Sequence, residues 1–274
     1  MENILLPSKI EFKEGKTKNE GIITIEPCYQ GYGTTLGNAL RRVLLSSLPG
    51  AAVTAVKIKG APHEFSTIPS IKEDVIEIIL NLKQLRLRVF NNEPVRLRLK
   101  AKGEKEVKAK DIEASSDVEI VNPDLHIATL TAKNADLDME IFVSQGRGYV
   151  PTENREKENL EIGVISIDSI FTPIKNVGFK VEDTRVGQIT NYDKLTLNVE
   201  TDGTITPEAA FKQAVGMLLD YFHLIAGIDR EKLPEAKEIE KKEKIEEVVK
   251  PKKEEKEEPE IKEKKKRGRP KKTK

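Results

Sequence analysis

Residues 31–50 have the sequence GYGTTLGNALRRVLLSSLPG. A hydroxyl of Thr34 or Thr35 can cap the first turn of a helix here, and Pro49-Gly50 ends it. Arg41 and Arg42 lie beside an apolar face that needs a cover. The residues of that face recur at spacings of three and four, as in an amphipathic helix: Leu36, Ala39, Leu40, Val43 and Leu44.

A second amphipathic helix is predicted near residue 207. Thr206 is a suitable N-cap, Pro207 occupies the first helical position, where its missing N–H costs nothing, and Gly227 is a natural stop. The apolar face of this helix is wide enough either to pack on a sheet of its own chain or to be shared with a second copy of the chain. Its apolar residues follow at helical spacing: Phe211, Ala214, Val215, Leu218, Phe222, Ile225 and Ala226.

Alternating segments elsewhere predict strands. Residues 85–89 and 95–99 alternate apolar and basic around Asn91-Asn92-Glu93-Pro94, which predicts a two-strand hairpin with arginines on its outer face. Ser70 and Glu73 have the spacing of a capping box and predict a helix that starts there and continues through residues 75–82. Further strands are predicted at 22–26, 53–59, 118–121, 137–143, 164–167, 177–181 and 195–201.

Charge is distributed unevenly over the 274 residues. From Glu235 to Lys274 there are 17 lysines and arginines, 12 acidic residues and no aromatic residue. Such a segment cannot bury enough apolar area to offset the entropy of ordering it, so residues 231–274 are predicted to be disordered. The residues before this tail are mildly acidic overall and numerous enough to bury a proper core.

The single cysteine, Cys28, excludes an internal disulfide and a multi-thiol metal site. It is expected to be a small buried residue rather than a reactive thiol. Met1–Pro7 lacks the charged start and apolar run of a signal peptide, and no apolar stretch approaches the ~20 residues of a membrane span. A cytoplasmic chain with no membrane partner is therefore expected.

No motif indicates catalysis by this chain. Gly31, Gly33 and Gly37 have the spacing GxGxxxG, which is not that of a nucleotide-binding loop, and are expected to let a strand turn into the helix. The three histidines are far apart in sequence and have no cysteine partners, which disfavours a metal site. The carboxylates are expected to be too scattered for two-metal chemistry. We expect no catalytic residues, no metal and no cofactor.

Four blocks resemble the α-subunit family of bacterial-type RNA polymerase, in the family's order and at similar spacing. They are residues 31–83, 117–130 (DVEIVNPDLHIATL), 146–151 (GRGYVP) and 192–210 (YDKLTLNVETDGTITPEAA). The resemblance implies an α+β fold in which a dimerisation subdomain, made of a mixed sheet and two amphipathic helices, carries an inserted and mainly β subdomain. The expected bounds are 1–49 and 175–230 for the dimerisation subdomain, 50–174 for the insert and 231–274 for the disordered tail.

The resemblance also implies a homodimer. The two predicted helices correspond to those that pack across the dimer axis in the family. The residues expected at this interface are Leu36, Leu40, Val43, Leu44, Phe211, Val215, Leu218 and Phe222.

In the family, the α subunit is a platform for assembling DNA-directed RNA polymerase, a nucleotidyltransferase, with the β, β′, ω and sigma subunits. The resemblance places Arg42 and Leu45 at the β contact, and Lys83 and Ile167 near the β′ contact. For Arg42 the alternative is a solvated side chain, but its position beside an apolar face favours an interface. Arg147 lies in the stiff turn GRGYVP, which either redirects the backbone or docks a partner's carboxylate.

The family's C-terminal domain is not found after about residue 228. The tail ends instead in a segment, Lys264–Lys272, that resembles an AT-hook. In such a motif Arg267, Gly268, Arg269 and Pro270 would enter the narrow minor groove of A·T-rich DNA. Non-specific polyanion contact and a solubilising role are the alternatives. Two functions result: a nucleoid-associated polymerase subunit, or a dimeric DNA-binding architectural protein that acts through its tail.

Overall fold

The computed structural model describes residues 4–91, 93–113, 115–154, 161 and 163–227. The tail predicted to be disordered, with Arg267, Gly268, Arg269 and Pro270, lies outside them. Residues up to Phe222 belong to one compact unit, and a second unit, His223–Lys274, is described only over its first five residues.

Strands and helices follow each other along the chain in an order that matches the α+β class expected from the sequence. Two short 3-10 helices, Ala109–Asp111 and Thr152–Asn154, accompany them. The elements are β1 (Lys9–Glu14), β2 (Glu20–Cys28), α1 (Tyr32–Ser46), β3 (Pro49–Ile58), α2 (Val75–Lys83), β4 (Leu87–Val89), β5 (Val95–Lys102), β6 (Lys105–Lys108), β7 (Ile112–Glu113), β8 (Val118–Ile120), β9 (His126–Leu130), β10 (Asp136–Arg147), β11 (Tyr149–Val150), β12 (Val164–Ser166), β13 (Ser169–Ile170), β14 (Ile174–Val186), β15 (Ile189–Thr201) and α3 (Pro207–Ile225).

The first body of the compact unit is a four-stranded sheet with α1 and α3. Its strand order is β1-β2-β15-β14, and every described pairing is antiparallel where a mixed sheet was expected. The reason is that short turns join β1 to β2 and β14 to β15, and only antiparallel neighbours can be joined so tightly. Its core draws on two separate stretches of chain, residues 23–48 and 174–214.

The second body is a larger antiparallel sheet with α2 packed on it. Its strand order is β7-β5-β10-β3-β4-β8, and β12 also pairs with β3. Two smaller pairs, β6 with β9 and β11 with β13, flank it. The core of this body is built from residues between 53 and 167 and forms an apolar cluster separate from that of the first body. The described residues therefore form two cores, and the second one interrupts the sequence of the first.

The predicted hairpin between residues 85–89 and 95–99 is wrong. β4 and β5 lie in the same sheet, but β3 and β10 stand between them. β5 pairs instead with β10 over eight positions, where Arg98 donates two hydrogen bonds to Asp138 and Arg96 pairs with Glu140. Arg96 and Arg98 face outward as predicted, because opposite charges across two strands stabilise a solvated sheet face, whereas Arg86 and Arg88 of the other segment are half-buried.

The N-cap of helix α1 lies three or four residues before the predicted caps, Thr34 and Thr35. Gly31, with φ of 84°, is its N-cap, and neither Thr34 nor Thr35 supplies a capping side chain. Asp193, 162 residues further on, accepts hydrogen bonds from the N–H groups of Gly31 and Gly33 at 2.9 and 3.0 Å. Its carboxylate thereby satisfies two donors at the start of the helix and complements the helix dipole.

Two other local predictions have opposite outcomes. Thr206 caps α3 as predicted, accepting from the Ala209 N–H at 3.3 Å. The capping box at Ser70 is wrong, because α2 begins at Val75 and is capped by Asp74. Glu73 accepts from the N–H and hydroxyl of Thr129 on β9 instead, at 2.6 and 2.9 Å.

Cys28 is buried at the end of β2, as expected. Burial, with a further contribution from the charge of Asp193, raises the pKa of its thiol. Gly37 on α1 permits the close approach of the helix to the sheet, since a Cβ atom there would lie 2.6 Å from the Phe179 ring. Of the three glycines, Gly31 makes the turn into the helix, whereas Gly37 is needed for packing.

A candidate subunit-docking surface

The residues predicted for the dimer interface differ in exposure. Leu40, Leu44 and Phe211 are buried in the core of the first body, so they hold α1 and α3 to their own sheet and offer no free area. Leu36, Val43, Val215 and Leu218 are half-buried at the margin of that core, and Phe222 is exposed. The helical stripe seen in the sequence thus contains both core and surface residues.

Helix α3 also carries exposed apolar residues that the sequence analysis did not include. Leu219 and Tyr221 are 47% and 70% exposed, next to Phe222 at 59%. Only the degree of burial distinguishes these positions from their neighbours, and the periodicity that marked the stripe contains no information on it. An uncovered apolar patch of this kind on one helix is typical of a protein interface.

Three of the predicted large-subunit contacts are exposed around the end of α1. Arg42 and Leu45 lie on the exposed side of the helix. Arg147, at the end of β10, is opposite Pro49, the first residue of β3, three residues after α1 ends. Within the part of the chain that the structure describes, neither arginine has an ion-pair partner in the chain. Both guanidinium groups are therefore available to a carboxylate of another protein.

The segment GRGYVP is held firmly rather than forming a free loop. After Gly148, which has φ of 63°, residues Tyr149 and Val150 form β11 and pair with β13. The Phe171 N–H donates to the Gly148 carbonyl at 2.8 Å, and the Phe171 ring packs on Gly146. The segment redirects the backbone, which was one interpretation of the sequence. It also leaves Arg147 exposed at the surface, which the alternative, a docking role, requires.

Asp168 connects this segment to α2, and the sequence analysis missed it. Its carboxylate accepts from the Thr152 N–H at 2.9 Å and from the Lys83 ammonium at 3.3 Å. The hydrogen bond from Thr152, followed by that from Lys83, holds the pKa of Asp168 below its usual value. Partial desolvation and the charge of Asp168 raise the pKa of Tyr149. No sequence signal pairs Asp168 with residues 85 positions away.

An apolar groove of about 290 Å³ lies beside this ion pair, between α2 and β12. Phe65 and Leu80, 75% and 52% exposed, stand on its rim with Ile76. Lys83 is half-exposed within it, but Ile167 is 2% exposed and belongs to the core of the second body. Ile167 thus forms the floor of the groove and supports the exposed residues.

This surface is suited to binding a protein. Among the described residues, no group of three or more histidines, cysteines and carboxylates is arranged to hold a metal ion. Asp136 and Asp138 do have the spacing Asp-x-Asp, which the sequence analysis overlooked, but Lys102 and Arg98 pair with them. Within the same residues, no helix is long and apolar enough to cross a membrane. An apolar groove rimmed by exposed apolar side chains is typical of protein interfaces.

Comparison with known proteins identifies the family. The family model described as the RNA polymerase Rpb3/RpoA insert domain matches residues 56–172, which contain most of the second body. A protein of Alkaliphilus oremlandii (strain OhILAs) is 55% identical over 217 residues, which are 79% of this chain and 68% of that protein. One of Symbiobacterium thermophilum is 56% identical over 220 residues, 80% of this chain and 68% of that protein.

A protein of Desulforudis audaxviator (strain MP104C) is 52% identical over 226 residues, 81% of this chain and 71% of that protein. All three relatives are DNA-directed RNA polymerase subunits alpha. Nothing in these comparisons favours an architectural DNA-binding protein. The chain therefore belongs to the family of α subunits of DNA-directed RNA polymerase.

Proposed function

We propose that this chain is the assembly platform of a DNA-directed RNA polymerase: it forms a homodimer and docks the β and β′ subunits, in a complex completed by ω and sigma. It contributes to nucleotidyl transfer as a subunit and supplies no catalytic group. The observation that carries the proposal is the docking surface itself, which combines exposed apolar residues with arginines that have no ion-pair partner among the described residues, in a chain that belongs to the α-subunit family. Its place of action is the cytoplasm, at the nucleoid.

The homodimer is proposed to form through α1 and α3. Leu36 and Val43 on α1, with Val215, Leu218 and Phe222 on α3, form a half-covered apolar surface that a second copy would bury. Leu40, Leu44 and Phe211 support this surface from beneath. The two separate cores favour subdomain boundaries near residues 50 and 174, with the first body as the dimerisation subdomain and the second as the insert.

The β subunit is proposed to dock at the end of α1, on Arg42, Leu45 and Arg147. The β′ subunit is proposed to use the groove beside α2, where Lys83 is held by Asp168 above the floor formed by Ile167. Tyr149 follows Arg147 closely in sequence, and desolvation and the charge of Asp168 raise its pKa. Asp168 connects the segment after Arg147 with Lys83 on α2, so the proposed β and β′ contacts are on connected elements. This connection favours the binding of both large subunits by one rigid surface.

A reciprocal pair of variants tests this division of roles. Phe222→Asp places a charge on the exposed part of α3, and Phe65→Asp does the same on the rim of the groove. We expect Phe222→Asp to be monomeric in size-exclusion chromatography with light scattering, and Phe65→Asp to remain dimeric but to retain less β′ on co-purification. A dimeric Phe222→Asp, or unchanged β′ recovery with Phe65→Asp, would count against the proposal.

Arg42→Ala tests the β contact separately. The side chain has no described partner in its own chain, so its loss should leave the fold and the homodimer intact. We expect weaker capture of β by the co-expressed variant. Equal co-elution of β with the parent and the variant would mean that Arg42 is merely solvated.

The tail is proposed to contact DNA. The residues Arg267, Gly268, Arg269 and Pro270 have the order of an AT-hook core, and the lysines on both sides would neutralise phosphates. We expect binding that falls steeply with salt and prefers A·T-rich duplexes in competition. Salt-dependent binding without that preference would indicate polyanion contact alone, and no binding would leave the tail a solubilising role.

A further inference from the structure

Arg88, in the second body, forms hydrogen bonds with the first body. Arg88 on β4 donates from Nε to the Thr204 carbonyl at 2.5 Å and from Nη2 to the Gly203 carbonyl at 3.2 Å. Its remaining nitrogen, Nη1, donates to the Glu119 carboxylate of β8 at 3.1 Å. The guanidinium thus joins the sheet of the second body to the turn between β15 and α3 of the first.

The turn that binds Arg88 is ordered by hydrogen bonds of its own. The Asp202 carboxylate accepts from the N–H and hydroxyl of Thr204 at 2.9 and 2.5 Å. The Asp202 N–H donates to the Pro173 carbonyl at 3.0 Å. Arg86, two residues before Arg88, lies 3.9 Å from the nearly buried Asp202 carboxylate. Both carbonyl groups therefore point to Arg88 without a cost of ordering the turn on contact.

This contact matters because the two bodies share no core. The main chain passes between them twice, near Gly50 and near Pro173, and both passages lie close together where Phe171 packs against Gly50. A pair of neighbouring connections leaves a hinge, and the hydrogen bonds of Arg88 to the turn after β15, which is itself bonded to Pro173, restrain that hinge. A planar guanidinium that binds two carbonyls and a carboxylate defines both distance and angle.

We propose that Arg88 is a positioning residue: it fixes the orientation of the second body on the first, and so holds the areas around Arg42 and Lys83 at the separation that the large subunits require. The effect of Arg88 on binding of the large subunits rests on the proposed function, whereas its effect on the orientation of the two bodies does not. Without Arg88 the two bodies sample several orientations. A partner that binds only one of these orientations then binds more weakly, in proportion to the population of that orientation.

The test measures the orientation directly in the full-length chain. Cysteines introduced at the exposed positions Lys100 on β5 and Lys180 on β14 carry spin labels, while the native Cys28 is buried and stays unlabelled. The labelled chain is folded together with an excess of unlabelled chain, so that distances within one copy dominate. We expect one narrow distance distribution for the parent, a broad one for Arg88→Ala and an intermediate one for Arg88→Lys.

A matched control and a second measurement separate positioning from stability. Arg98→Ala removes a guanidinium that also makes two hydrogen bonds, but only within the second body, to Asp138. It should leave the distribution narrow and the capture of β and β′ unchanged. Arg88→Ala should remain a homodimer and lose capture by about tenfold, the change expected if the competent orientation falls to about a tenth of the population.

The outcomes distinguish this inference from the proposed function. An equally narrow distribution for Arg88→Ala and the parent would overturn the positioning role, whatever happens to capture. A broad distribution with unchanged capture of both large subunits would uphold the role of Arg88 in orientation and remove its link to assembly. A broadening by Arg98→Ala of the same size would show a general loosening and would also overturn the inference.

Discussion

Replacing Gly50 by alanine tests how the docking segment is seated. A Cβ atom at Gly50 would lie 1.9 Å from the Phe171 carbonyl oxygen. Carbon and oxygen atoms in close contact are normally about 3.3 Å apart or more, so either β3 or the main chain at Phe171 must move by more than ~1 Å. The obstacle is main chain, and no change of rotamer relieves it. Because Phe171 also bonds to Gly148, the displacement reaches the segment that presents Arg147 and Tyr149.

The magnitude follows from the cost of overpacking a close contact, about 1–3 kcal/mol and occasionally more. We expect the upper end of this range, because a backbone group and not a flexible side chain is in the way. For a folded region of this size each kcal/mol lowers Tm by about 2–4 °C, so Gly50→Ala should melt about 6–12 °C below the parent. The assay is thermal unfolding of the full-length chain followed by circular dichroism.

Gly178→Ala is the matched control. Gly178 also lies in a strand of the chain, β14, but is exposed and has nothing within 4 Å of an added Cβ atom. The substitution should be neutral or stabilise the chain by about 0.4–1 kcal/mol, since it mainly restricts the unfolded chain. If Gly50→Ala and Gly178→Ala melted together, the described contact between Gly50 and Phe171 would be refuted.

Three further outcomes are expected. Asp193→Ala should destabilise the chain to denaturant by about 1–2 kcal/mol, since Gly31 and Gly33 lose their acceptor, and Asp193→Asn should recover part of this. The lowered pKa of Asp168 keeps its contacts intact above its unfolded pKa of about 3.9, so large-subunit capture should stay level from neutral pH to about pH 5. Cys28 should react with thiol reagents only after denaturation, because burial raises its pKa and blocks access.

Each of these outcomes has a clear opposite. Equal loss of stability in Asp193→Ala and Asp193→Asn would show that charge, not hydrogen bonding, caps α1. A fall in capture between neutral pH and about pH 5 that is absent in Asp168→Asn would place the pKa of Asp168 above its usual value. A thiol reaction as fast in the native chain as in denaturant would show that Cys28 is accessible.

Local signals were sufficient for several features of the fold. The spacing of apolar residues located α1 and α3, and Thr206 marked the start of α3, because a helix and its N-cap depend on residues within one turn of each other. The motifs around GRGYVP and the NALRR stretch also carried the family resemblance that the comparisons confirm. Such features need only a short window of sequence.

The sequence by itself determined the helices α1 and α3, most of the longer strands and the family to which the chain belongs, but it did not predict β1, β6 or β9. Only the tertiary structure decided which strands pair and which distant groups meet. β5 joined β10 rather than β4, Asp193 capped α1 from 162 residues away, and Asp168 reached Lys83. It also divided the apolar stripe of α3 into buried Phe211 and exposed Phe222. The reason is that pairing, burial and long-range hydrogen bonds are set by how whole elements pack, whereas helical periodicity is the same on a buried and an exposed turn.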